Sequence, residues 1–200
     1  HDQLTLDVGN HDLGSGGLLL LPDQTSVRPH LLTSAGKNST IYLVNRDNMG
    51  HFNTANDNQI EQSLSLPNFL YSTPLYFNGR VYFAPIASAI RAYDLAGGQL
   101  STTPTSQSSQ SYAFPGAALS ISANGASAGI LWAVERNGDF AAGVLRGYDA
   151  ANLGIELYNS NLAGAEDTLG PASKFCIPLV ANGRVYVGAL NELVVYGLLP

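Results

Sequence analysis

Apolar residues fall in short runs broken by Gly, Asn, Pro and Ser, and none of the runs has helical spacing. Where polar and apolar positions can be phased they alternate with period two or run continuously. That is the pattern of strands buried on one or both faces rather than of helices with an i, i+3, i+4 stripe. Two segments show the plan most clearly. Ser72-Thr73-Pro74-Leu75-Tyr76-Phe77-Asn78-Gly79-Arg80-Val81-Tyr82-Phe83 and Cys176-Ile177-Pro178-Leu179-Val180-Ala181-Asn182-Gly183-Arg184-Val185-Tyr186-Val187 share one layout. Each has a Pro-led strand, an Asn-Gly turn and a second strand opening Arg-Val-Tyr. Asn-Gly between apolar runs predicts a two-residue hairpin, because a type I′ turn needs positive φ at both central positions.

Each hairpin leads into a third strand ending near an aromatic residue: Ala89-Ile90-Arg91-Ala92-Tyr93-Asp94 in the first and Glu192-Leu193-Val194-Val195-Tyr196-Gly197 in the last. A copy between them runs from Pro115-Gly116-Ala117-Ala118-Leu119 through a longer turn at Asn124-Gly125. It continues with Ile130-Leu131-Trp132-Ala133-Val134 and Val144-Leu145-Arg146-Gly147-Tyr148-Asp149. A looser copy begins at Leu18-Leu19-Leu20-Leu21-Pro22 and closes on Thr40-Ile41-Tyr42-Leu43-Val44-Asn45. The closing positions Asn45, Asp94, Asp149 and Gly197 are 49, 55 and 48 residues apart. A period of about 50 residues with three or four short strands per unit predicts an all-β protein of four-stranded antiparallel β-propeller blades. The expected blades are 12–60, 61–105, 106–165 and 166–200, forming a single segment over 1–200.

Several stretches carry a family resemblance. Asp12-Leu13-Gly14-Ser15-Gly16-Gly17, Ala35-Gly36-Lys37, Asn45-Arg46-Asp47-Asn48-Met49-Gly50 and the turn Ala96-Gly97-Gly98-Gln99-Leu100 resemble the repeat of pyrroloquinoline-quinone-like (quinoprotein-like) β-propellers. The resemblance covers essentially the whole chain. It implies the C-terminal portion of a larger ring, usually of about seven or eight blades. It also implies partners for the open ends: remaining blades from the same precursor, a second chain, or a second copy. Fold alone does not assign activity.

The quinoprotein resemblance raises pyrroloquinoline quinone and calcium as cofactors. The chain has one cysteine, Cys176, and one tryptophan, Trp132, so it lacks the vicinal cysteines and repeated Trp motifs of the quinone enzymes, and no cofactor is expected. Cys176, within Phe175-Cys176-Ile177, reads as a buried small hydrophobe. Asn53-Thr54-Ala55-Asn56-Asp57-Asn58-Gln59 is rich in oxygen ligands but lacks EF-hand spacing and reads as a solvated loop between blades. His1, His11, His30 and His51 have no metal-ligand spacing. Ser101 to Ser111 is low in complexity and reads as a mobile loop.

Charge narrows the partners further. Only 12% of residues are charged, about half the share of an ordinary domain, and the formal net charge is −6. Lys37 and Lys174 are the only lysines and the arginines are scattered, so a nucleic-acid surface is not expected. No run approaches the ~20 apolar residues of a membrane span. The chain opens at His1 in polar sequence without a signal peptide, so any leader is expected to be removed or to lie upstream. Few lysines with much Asn, Thr and Gly point to a secreted or periplasmic protein. The expected function is a non-catalytic binding or scaffolding propeller. The alternatives are part of a quinone-dependent oxidoreductase completed by a missing N-terminal half, and a structural subunit that assembles through exposed blade edges. Lys37, Arg46, Asp47 and Asn48 are the candidate ligand-binding residues, since they occupy turns and strand ends where a ligand or partner can approach.

Overall fold

In the computed structural model, which describes residues 1–197, consecutive strands pair with their sequence neighbours into antiparallel sheets. A short helix α1 (Gln3–Val8) and a 3-10 turn at Leu13–Gly16 precede the first sheet. That sheet contains β1 (Leu18–Leu20), β2 (Leu31–Ala35), β3 (Thr40–Asn45) and β4 (Gln62–Ser65), side by side in chain order. The second contains β5 (Leu75–Phe77), β6 (Arg80–Phe83), β7 (Ser88–Ala96), β8 (Gln99–Leu100) and β9 (Ser106–Tyr112). The third is β10 (Leu119–Asn124), β11 (Ser127–Glu135), β12 (Val144–Asp149) and β13 (Asn152–Asn159). The fourth is β14 (Leu179–Ala181), β15 (Arg184–Ala189) and β16 (Glu192–Tyr196). Residues 198–200, the end of the fourth expected unit, lie outside the described residues.

The Asn-Gly turns take the predicted form. Asn78 and Gly79 have φ of 44° and 81°, and Asn182 and Gly183 have 49° and 72°. The strands beside them close on the pairs Phe77↔Arg80 and Ala181↔Arg184. A tight turn leaves no freedom of register, so the turn decides which side chains share a face.

Two expectations about the outer strands are corrected. Ser101 to Ser111 is not a loop throughout, because Ser106 to Tyr112 form β9, which pairs with β7. The Ser101 and Thr105 amides donate to the carbonyls of Asp94 and Ala92, two residues apart on β7. Carbonyls two apart point to the same side of a strand, so β8 and β9 form one interrupted fourth strand. Ser108 and Tyr112 are buried along β9, and the Ser108 hydroxyl accepts the Ile90 amide at 3.0 Å. The divisions expected at 60–61 and 105–106 fall before the outer strands, whereas pairing of Thr40 with Ser65 and of Ala92 with Ser106 assigns β4 and β9 to the first and second sheets.

The sheets stack face to face in series, and alternation along the inner strands of the second and third sheets feeds two cores. Val81, Phe83 and Tyr93 of the second sheet pack with Leu31, Ile41 and Leu43 of the first. Tyr82, Ala92 and Tyr112, on the opposite face, pack with Leu131, Ala133 and Tyr148 of the third. Val134 and Leu145 turn the other way, onto Val185, Val187 and Tyr196 of the fourth. Polar bonds tie the same interfaces. Gln62 Nε2 donates to the Leu100 carbonyl while Gln62 Oε1 accepts the Leu100 amide, both at 2.8 Å. The Tyr82 hydroxyl donates to the Ala150 carbonyl at 2.8 Å.

The two end faces differ from these packed interfaces. On the fourth sheet Leu179, Tyr186 and Val195 form one cross-strand row on the face away from the third sheet. Leu179 and, in the next row, Leu193 are 62% and 64% exposed. Leu18 and Leu20 are likewise exposed on the outer face of the first sheet. There residues of α1 and of the sheet bound a cavity of about 590 Å³, lined among others by Leu6, Tyr42, Val44 and Phe52.

Tyrosines at the interfaces give the fold an alkaline limit. Burial pushes the Tyr82 phenol up to about 12, and burial with the nearby Asp167 charge pushes Tyr196 up to about 12. Tyr93, Tyr112, Tyr148 and Tyr158 are raised as well, chiefly by burial. The folded state therefore holds the phenolic protons more tightly than the unfolded chain, whose tyrosines titrate near 10. The stability this provides is complete below pH 10 and is lost as pH rises towards 12. Urea midpoints at pH 8 and pH 11 are expected to fall steeply between the two, and equal midpoints would contradict the burial described.

Candidate functional site

The first strands of the second, third and fourth sheets lie side by side, with β10 touching both β5 and β14. The segments that lead into them converge on a cleft of about 240 Å³. Tyr71 to Leu75 enter from the second sheet, Pro115 to Leu119 from the third, and Ser173 to Ile177 from the fourth. These are the Pro-led starts of three repeats, so the repetition itself builds the cleft. Gly116 permits one close approach. It has φ of 86°, and a Cβ there would stand 2.6 Å from the Ala84 carbonyl oxygen, so only glycine fits without displacing backbone.

The cleft wall is mainly apolar, with Tyr71, Pro115, Phe175 and Ile177 presenting hydrocarbon. Tyr71 and Phe114 meet edge to face with centroids 5.3 Å apart, and Lys174 Nζ lies 5.6 Å from the Phe114 centroid, in cation–π range. Arg136 follows the end of β11 and supplies the one charged side chain of the wall among the described residues. Its side chain is only 11% exposed and pairs with Asp139, yet its Nε has no partner. The Ser72 hydroxyl is also buried without a partner. Cys176 lines the cleft half-buried rather than fully buried as expected, because its strand start opens onto this space.

Of the sequence-derived candidates, only Lys37 is near this cleft. It pairs with Asp12 at 2.6 Å. The Asp12 hydrogen bond, against some desolvation and aided by the Asp12 charge, raises its pKa, and the Gly36 carbonyl beside it accepts the Leu70 amide at 3.1 Å, next to Tyr71. Arg46, Asp47 and Asn48 stand beyond the other end of β3, whose six residues span about 20 Å at the usual rise of a strand. Asp47 pairs with His30 at 2.8 Å, Arg46 reaches Asp23 at 3.6 Å, and the Asn48 side chain accepts the Gly50 amide at 3.2 Å. The four residues therefore form no single cluster. Arg46 to Asn48 make a locally bonded turn, with the Asp47 amide donating to the Asn45 side chain at 3.0 Å.

No protein-family model matches this chain, and no curated protein matches it.

The residues present do not fit a calcium-held quinone. Calcium takes about six to eight oxygen ligands, with carboxylates prominent among them. The cleft offers hydroxyls, a thiol and a guanidinium, and among the described residues no carboxylate lines it. The asparagine-rich run is spent on its own backbone, since Asn53 and Asn56 side chains accept the Ala55 and Asn58 amides at 2.9 and 3.1 Å. His1, Asp2 and Asp57 do gather at the surface, a grouping that residue spacing cannot reveal, but these groups pair with one another.

Proposed function

We propose that the chain is an arc of four blades from a quinoprotein-like β-propeller. In this reading it works outside the cytoplasm, secreted or periplasmic, as a binding or scaffolding module that does not itself catalyse a reaction. The observation that carries the reading is the serial stacking of four repeat-built sheets, the first strands of the last three adjoining. Propellers place such strands around a central channel and present ligands with its mouth. The cleft supports binding rather than catalysis. A nucleophile needs an adjacent base, and among the described residues no hydrogen bond engages the Cys176 thiol.

The exposed rows at both ends support a further part of the reading. They have the composition of the buried inter-sheet faces, and an exposed apolar patch of this kind marks an interaction surface. Remaining blades of the same precursor, a second chain or a second copy would cover them. This also accommodates a structural subunit whose principal task is assembly.

Catalysis is tested by supplying pyrroloquinoline quinone and calcium to the purified chain with an electron-accepting dye and a panel of alcohols, aldehydes and amines. The expected result is no dye reduction above the protein-free control. Sustained, protein-dependent reduction would replace the binding module with a quinone-dependent oxidoreductase.

A further inference from the structure

We propose that the cleft binds small organic monocarboxylates with an aromatic or aliphatic body, an inference that rests on reading the chain as a binding module. Three observations point to this class. The space is about 240 Å³, just below the ~300–1,000 Å³ of sites for drug-sized ligands, and therefore suits a molecule built on a single ring. Its walls, Tyr71, Pro115, Phe175 and Ile177, favour an apolar body over a sugar or a polyol. Its one charged lining residue is cationic in a chain whose net charge is −6.

The placement of charge sharpens the choice. Both lysines of the chain stand outside the cleft wall but near it: Gly36, next to Lys37, accepts the amide of Leu70, the neighbour of Tyr71, and Lys174 lies over Phe114. The carboxylates that accompany these cations are Asp12 on Lys37 and Asp139 on Arg136, which leaves an excess of one positive charge around the mouth. Asp139 engages only one end of the Arg136 guanidinium, and Nε remains a buried donor without an acceptor. A guanidinium carries five N–H donors in a planar fork matched to a carboxylate. A ligand carboxylate reaching Arg136, with its body against Tyr71 and Ile177, would occupy both the vacant donor capacity and the apolar wall. A ligand amine would meet three cations.

The test is a calorimetric titration of the full chain with benzoate, benzamide and benzylamine at low salt. These probes share a ring and differ in charge. Benzoate is expected to bind at least about tenfold more tightly than benzamide, as befits a charged hydrogen bond, and benzylamine is expected not to bind. Arg136→Gln should abolish the preference for benzoate. Arg136→Lys should retain part of it, and Lys174→Gln should weaken benzoate more at low salt than at high salt. Unchanged circular dichroism would certify that each variant is folded. Benzoate binding no tighter than benzamide, or equally tight to wild type and Arg136→Gln, would overturn the proposal. Tighter binding of benzamide or benzylamine would overturn it while leaving the binding module intact. The parent reading fails separately, through quinone-dependent dye reduction.

Discussion

Tyr148→Ala is expected to destabilise the protein by about 4 kcal/mol, the cost of removing a large aromatic side chain from a packed core. Tyr148 is fully buried between the second and third sheets, and its hydroxyl shares a 2.8 Å hydrogen bond with that of Tyr112. The truncation thus does two kinds of damage: it opens a cavity against Leu131 and Ala92, and it strands the Tyr112 hydroxyl. An unpaired buried hydroxyl costs about 1–3 kcal/mol. The two effects can be separated. Tyr148→Phe and Tyr112→Phe each keep the ring and orphan one hydroxyl, whereas the double variant removes both partners. The double variant is expected to lose less stability than the sum of the single ones, by about 1 kcal/mol or more, in urea unfolding. Strict additivity would mean that the two hydroxyls do not depend on each other.

Arg146→Met should have the second-largest effect, about 3 kcal/mol. Arg146 lies at the same interface, between Glu135 at 2.7 Å and Glu156 at 2.9 Å. Glu135 in turn accepts a hydrogen bond from Gln110 of β9 at 2.9 Å, so the network crosses from the third sheet to the second. Burial acts to lower the Arg146 pKa, but the hydrogen bond to Glu135 and the charges of Glu135 and Glu156 outweigh it and raise the value. Methionine keeps the length of the side chain but leaves two nearly buried carboxylates facing each other without a cation. Glu156→Gln should cost much less, about 1 kcal/mol, because Glu135 still pairs with Arg146. Comparable losses from both variants, again in urea unfolding, would contradict this, because the pair with Glu156 would then matter as much as the whole cluster.

The parts of the fold that could be read in the sequence are those in which local chemistry dictates conformation. Asn78-Gly79 and Asn182-Gly183 announce their hairpins because few other residue pairs tolerate positive φ twice in succession. The strands that follow announce themselves by apolar content, since each inner strand is covered on one face or both. The outer strands do not. β4 reads Gln-Ser-Leu-Ser and β9 reads Ser-Gln-Ser-Ser-Gln-Ser-Tyr, and both are held mainly by backbone ladders that leave little imprint on composition. The boundaries drawn from apolar runs therefore fell short by one strand.

The cleft was harder to read for a different reason. Tyr71, Pro115 and Ile177 are separated by the length of whole repeats, and only the stacking of the sheets brings them together. Arg136 carries no local signal, as it follows a strand whose end in the sequence is indistinct. Lys37, Arg46, Asp47 and Asn48 all sit in turns, where ligands approach, but the length of β3 sets Lys37 at one end of the sheet and the other three beyond the opposite end. Aligning the Pro-led starts of the repeats, Ser72-Thr73-Pro74 with Cys176-Ile177-Pro178, was the available clue to the cleft.

In the proposed reading the four sheets are an arc whose two end faces require covering. The native mass of the purified chain by light scattering tests it most directly. A mass at least twice the 21.1 kDa of the chain, or a stable complex with a second polypeptide, is the predicted result. A monodisperse, folded 21.1 kDa monomer that stays so as its concentration rises would contradict it, for the rows at Leu179 and Leu193 would then stand in water without a partner.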